Sequence, residues 1–167
     1  MLVRKVALSF LLCVIYTQAW SQTFIISKDI QLDLPDSAII LQSGNSVLFK
    51  YPDWVLSHQI IDPKTFYPNV DLTGLIQIYI RNIFEPKEGE LPNWLQFIAK
   101  EQAKAFKVTN KNTSQFTLGE FEVYCVFDSV EKNGNIYLVG NDYVSHFNVL
   151  SDKQGFYQFL NVLKGSI

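Results

Sequence analysis

The chain has 167 residues, 48% of them hydrophobic, 14% aromatic and 18% charged, with a formal net charge of −2. Residues 1–21 contain two of the 14 basic residues and none of the 16 acidic ones, so the remainder carries −4, which argues against a nucleic-acid binder with its need for net or clustered positive charge. Cys125 is the one cysteine beyond residue 21, so that remainder has no intrachain disulfide and its stability must come from burial.

Residues 1–21 read as a cleavable secretory signal peptide. Arg4 and Lys5 give a positive start, and residues 6–16 form an apolar run broken only by Ser9. Ala19 and Ser21 then place small residues at −3 and −1 of a cut before Gln22. A membrane-spanning anchor needs about 20 mostly apolar residues. Here Thr17, Gln18, Ser21 and Gln22 end the run early and no basic stop-transfer cluster follows. Cys13 lies within the apolar run without small residues before it, which does not suit a lipid-modified cysteine. The expected product is periplasmic or secreted, without a stable membrane anchor after cleavage. Its residues 22–167 show no repeat or linker and are expected to form a single domain.

Residues 23–26 and 30–34 read as strands, and in the second Ile30, Leu32 and Leu34 alternate with Gln31 and Asp33. After a turn at Pro35-Asp36-Ser37, residues 38–42 and 46–50 flank Ser43-Gly44-Asn45 as a hairpin. Residues 54–61 read as a strand and 62–71 as a loop, where Pro63 and Pro68 interrupt any ladder. Residues 75–84 are expected to be a strand, with Ile76, Ile78 and Ile80 on one face. Residues 92–107 are expected to be a helix that starts at Pro92 and carries Trp94, Leu95, Ile98 and Ala105 as its stripe. Its wet side and exit carry Lys100, Lys104, Lys107 and Lys111. Residues 115–118, 121–128, 136–139 and 143–150 read as antiparallel strands, with Lys132-Asn133-Gly134-Asn135 as a hairpin turn. A second helix is expected over 152–164, opened by Ser151 and Gln154 as a capping box and burying Phe156, Phe159, Leu160 and Leu163. The order implies an α+β protein, a mainly antiparallel sheet with two helices packed on it.

The stretch Phe49-Lys50-Tyr51-Pro52-Asp53-Trp54, with the late strand and closing helix over 143–164, resembles the PsbP-like fold family of small α+β proteins. That resemblance implies an exported accessory subunit that binds protein. The family has no shared catalytic residues to carry over.

Residues that could carry chemistry are few. Cys125 with His58 or His146 is a conceivable thiol–imidazole pair. However, Phe121, Val123, Cys125 and Phe127 alternate on one strand face, which places the thiol in the core as a small hydrophobe. No His-x-His, His-x-x-x-His or Cys-x-x-Cys spacing suits zinc. Glu85, Glu88 and Glu90 beside Gly89 match no EF-hand loop and read as a solvated turn. Gly-x-Ser-x-Gly and the phosphate-binding glycine patterns are missing. Asn112-Thr113-Ser114 spells a glycosylation sequon, meaningful only in a eukaryotic secretory pathway. The expectation is therefore no catalytic residue, no metal and no cofactor.

Aromatic residues are the remaining positive feature. Tyr51, Trp54, Phe66, Tyr67 and Tyr79 are the candidate binding residues, with the 62–71 loop as the favoured contact. The expected partner is another protein, which fits an accessory subunit or an immunity protein against a secreted toxin. A small exported hydrolase and a carrier of an apolar ligand are the competing readings. The oligomeric state is left open.

Overall fold

A computed structural model describes residues 21–27, 30–35 and 38–166. The expected signal peptide lies almost wholly outside the described residues. Strands β1 (Ser21–Ser27) and β2 (Ile30–Pro35) pair antiparallel as a separate ribbon. The main sheet contains β3 (Ile39–Ser43), β4 (Ser46–Lys50), β5 (Val55–Ile61), β6 (Thr113–Leu118), β7 (Phe121–Asp128), β8 (Asn133–Val139) and β9 (Val144–Leu150). Its order is β3-β4-β5-β9-β8-β7-β6, antiparallel throughout. Two hairpin-built units, β3–β5 and β6–β9, thus meet at the β5–β9 pair. Helices α1 (Ile76–Phe84) and α2 (Asn93–Ala105) lie between those units in sequence, and α3 (Lys153–Lys164) closes the described chain. The α+β class expected from the element order is what the fold shows.

Successive strand side chains point to opposite sheet faces, and both faces are covered. On one, Phe49, Leu56, Val123, Cys125, Phe127, Ile136, Leu138, Phe147 and Val149 meet the ribbon's Ile30, Leu32 and Leu34 and α3's Phe156, Phe159, Leu160 and Leu163. On the other, Ile61, Tyr124, Tyr137, Val139 and Val144 meet Leu72, Ile76, Tyr79, Ile80 and Ile83, then Leu91, Leu95 and Ala99. Burial of each such side chain contributes roughly 1.5–3 kcal/mol, which is how the described residues hold together with Cys125 a free thiol. Because β7 and the second half of β8 are covered on both faces, residues 123–127 and 136–139 are continuous apolar runs.

Four local expectations are corrected. The segment 75–84 is not a strand but α1 preceded by Leu75 as its N-cap, which makes three helices among the described residues. Ile76, Tyr79, Ile80 and Ile83 are 0–3% exposed and recur at helical spacing, so tertiary burial of one stripe overrides the strand preference of isoleucine and tyrosine. The turn between β7 and β8 comes before Asn133-Gly134. Asp128 Oδ1 accepts from the Val130 and Glu131 amides at 2.9 and 3.3 Å, and Lys132 takes the left-handed conformation at φ 51°. Gly134 sits inside β8 opposite Phe127, where an added Cβ would lie 2.2 Å from the Phe156 ring. The cap of α3 is also one residue later than expected. Asp152 Oδ1 accepts from the Gly155 amide at 2.8 Å, while Ser151 Oγ donates to the Asp152 carbonyl at 2.9 Å. On α2, Leu95 and Ala99 are buried whereas Trp94 is 49% exposed, so the stripe is rotated from the expected one.

Candidate docking groove and open sheet edge

The five predicted aromatic residues fall into two groups on opposite faces of the sheet. Tyr51 and Trp54 frame the β4–β5 turn, where the Tyr51 amide donates to the Trp54 carbonyl at 3.0 Å and the rings stack at 4.2 Å and 4°. Tyr51 is buried in the first core. Its hydroxyl has no hydrogen-bond partner among the described residues, and burial raises its pKa. Trp54 is half-buried, 6.4 Å from Phe159. Phe66 and Tyr67 fold inward onto Tyr79 in the second core, with Tyr67 and Tyr79 hydroxyls 2.6 Å apart. Tyr79 is fully buried; desolvation, then the bond to Tyr67, raises its pKa far above the ordinary tyrosine value. Trp54 lines the groove described below.

The two histidines and Cys125 have polar partners of their own. Buried His58 shares a 2.7 Å hydrogen bond between Nε2 and Ser145 Oγ, and its ring lies 4.6 Å from Phe147. His146 stacks on Tyr137 at 4.4 Å; its Nε2 is 3.0 Å from Asn135 Oδ1 and its Nδ1 is 3.4 Å from Gln59 Nε2. The amides assign the proton to Nε2, because Asn135 Oδ1 accepts and Gln59 Nε2 donates. Burial pushes both histidines down to about 4, with repulsion from His58 adding to the effect on His146. Asn148 extends this polar row by donating to Asn133 Oδ1 at 2.6 Å and Asn135 Oδ1 at 3.2 Å. Cys125 is 1% exposed and burial pushes its thiol up to about 12, with Ser114 as its polar neighbour. Imidazole and thiol therefore each bond elsewhere, and neither histidine pairs with a carboxylate among the described residues. Among those residues no three His, Cys, Asp or Glu side chains come together to hold a metal ion.

Two surface features remain. The first is a groove of about 890 Å³ between the ribbon end, the β4–β5 and β7–β8 turns and α3. Leu34, Trp54, Leu150, Phe159 and Val162 supply its apolar wall, and its charged residues are Asp33, Asp53, Glu131 and Asp152 against Lys132. A smaller groove beside α1 differs in kind. There the Arg81 guanidinium binds both carboxylate oxygens of Glu122 at 2.8 and 3.3 Å, the Tyr124 hydroxyl donates to Glu122, and Arg81 and Lys87 offset two of the three glutamates.

The second feature is the edge strand β3. Ile39, Ile40 and Leu41 are 60%, 45% and 58% exposed, and the strand bears no charge and no proline. Natural edges are protected by such residues. The opposite edge, β6, exposes mainly Thr, Ser and Gln. The two features adjoin. Register places Ile39 beside Lys50, Lys50 beside Val55 and Val55 beside Leu150, so a row leads across the sheet from β3 to the groove wall. Neither was expected from the sequence. The groove's carboxylates are scattered over the chain, and Ile39-Ile40-Leu41 is legible as a strand but not as an edge.

The fold and this surface define an α+β protein with covered sheet faces, an open apolar edge and an acidic groove. No family model and no curated protein matches the chain. Among solved structures, the chain is similar to the solution structure of cyanobacterial PsbP (CyanoP) from Synechocystis sp. PCC 6803 at 15% identity and a TM-score of 0.48, over 90% of this chain and 93% of that one. This is a likeness of chain layout and says nothing of activity or partner. No helix among the described residues is long and apolar enough to cross a membrane.

Proposed function

We propose that the chain is an exported, non-enzymatic accessory protein that binds another protein by adding a strand of that partner to β3. The observation that carries this is the edge itself, with three consecutive exposed apolar residues and no charge on a strand that, among the described residues, is paired on one side only. An added strand satisfies the outward main-chain groups at about 1 kcal/mol net per hydrogen bond and covers the side chains at roughly 25 cal/mol per Å². Export is supported by the sequence of residues 1–21. Neutralising a secreted toxin is a narrower form of this role, in which the captured partner loses a toxic activity on binding.

Site-specific photocrosslinking in the producing cells tests the proposal, with the crosslinker placed at Ile40 on β3 or at Thr117 on β6. A single partner captured from position 40, absent at 117 and lost when Leu41→Lys charges the edge, is expected. Capture of the same proteins from both positions, or indifference to Leu41→Lys in a folded protein, rules the edge out.

A further inference from the structure

The groove extends the proposed role to the chemistry of the partner, and its assignment rests on strand addition at β3. We infer that the groove receives a segment of the partner bearing lysine or arginine on an apolar background. Its charged residues are four carboxylates and one lysine, so four of the chain's 16 acidic residues line one depression against a single base. The carboxylates do not converge on a metal site, which spreads the negative potential along the groove and suits successive cationic heads better than one ion. The wall of Leu34, Trp54, Leu150, Phe159 and Val162 suits the other half of such a segment. Lysine and arginine lay their alkyl stems on apolar surface while the heads stay at a polar rim, and a tryptophan beside them attracts the cation.

Position connects the groove with the edge. Neighbouring strands lie about 4.8 Å apart, so a strand added to β3 lies roughly 19 Å from β9, a span that about six extended residues cover. Leu150 on β9 lines the groove. A partner that pairs with β3 and continues past the β4–β5 turn therefore reaches it, meeting Asp53 on the way. The carboxylates differ in their structural work: Asp152 caps α3 and Asp33 accepts from Thr23 Oγ1 at 2.9 Å. Asp53 and Glu131 are exposed and take no part in a cap or an ion pair among the described residues.

The probe is an octapeptide of alternating Lys and Leu, with a Glu-Leu peptide of the same length as control, titrated into the isotopically labelled exported protein and followed by NMR. The Lys-Leu peptide should shift the Trp54 indole and the Leu150 and Val162 methyl signals, and the control should leave them in place. Asp53→Lys/Glu131→Lys should weaken that binding by about tenfold or more, as should salt near 0.5 M, where screening is short-ranged. Shifts located away from the groove, or unchanged affinity in the folded double variant, overturn the inference. Leu41→Lys separates the two proposals. If it abolishes crosslinking at Ile40 while the peptide still binds Asp53→Lys/Glu131→Lys as tightly as wild type, strand addition stands and the groove inference falls. If the peptide binds the groove but Ile40 captures nothing, the reverse holds.

Discussion

Gly134→Ala tests how tightly α3 is seated on the sheet. Gly134 lies in β8 between Phe127 of β7 and Val149 of β9, on the face covered by α3. An added Cβ would stand 2.2 Å from both Cδ2 and Cε2 of Phe156. Unstrained carbon pairs sit at about 3.5–4.0 Å, so the ring must retreat by more than about 1 Å. It has little room, because Phe156 is 2% exposed and stacked 4.9 Å from Phe127. Overpacking of this kind costs about 1–3 kcal/mol, while replacing a strand glycine recovers roughly 0.4–1 kcal/mol through the unfolded chain. The net expectation is a loss of about 1–2 kcal/mol, read as a fall in Tm of roughly 3–8 °C for a domain of this size. Urea denaturation should give a lower midpoint at unchanged slope. Phe156→Leu in the same chain should relieve the clash, leaving the double variant more stable than the sum of the single losses by about 1 kcal/mol. A Gly134→Ala protein as stable as wild type, or strict additivity in the double variant, would refute the close approach of α3 to β8.

The buried polar groups give further expected outcomes. His58 and His146 are held near 4 in the folded protein and return to about 6.5 when unfolded, so between those values the unfolded chain binds more protons. Stability should therefore be full above about pH 7 and fall on acidification through 6.5 towards 4, by up to about 3 kcal/mol per histidine. Urea midpoints at pH 7, 6 and 5 and NMR titration of the two rings check this; a ring titrating near 6.5 contradicts its burial. Cys125→Ser places a hydroxyl where the thiol is buried, and should cost about 1–3 kcal/mol in denaturation while leaving partner crosslinking intact. Asp152→Ala removes the α3 cap and should cost about 0.5–2 kcal/mol, whereas Asp152→Asn should retain most of it. Arg81→Met breaks a half-exposed ion pair with Glu122 and should cost no more than about 1 kcal/mol.

Local patterns carried much of the fold. Ile30, Leu32 and Leu34 alternate in the sequence and are buried in the ribbon, and Phe121, Val123, Cys125 and Phe127 share one buried face as their spacing requires. Residues 46–50 and 121–128 match β4 and β7 residue for residue, and Phe156, Phe159, Leu160 and Leu163 form the buried stripe of α3. Residues 75–84 mislead because an isoleucine-rich run satisfies both a two-residue and a helical period. The choice between them depends on what lies opposite, here Leu91, Leu95 and Ala99. Asn133-Gly134 has the composition of a turn, yet Phe156, far along the chain, explains the glycine by its approach to β8.

The sequence by itself determined the periodic faces, the absence of an intrachain disulfide beyond residue 21 and the core placement of Cys125, because each depends on residue type and near-neighbour spacing. Only the tertiary structure decided which strand became the edge, which aromatics stayed accessible and where the acidic residues gathered. Asp33, Asp53, Glu131 and Asp152 share a groove because strand order and the packing of α3 bring distant segments together. Tyr79, so prominent in the sequence, is buried because its helix turns that side toward the sheet. Long-range pairing leaves no local signature, so a surface assembled from separate segments becomes visible only when the chain is folded.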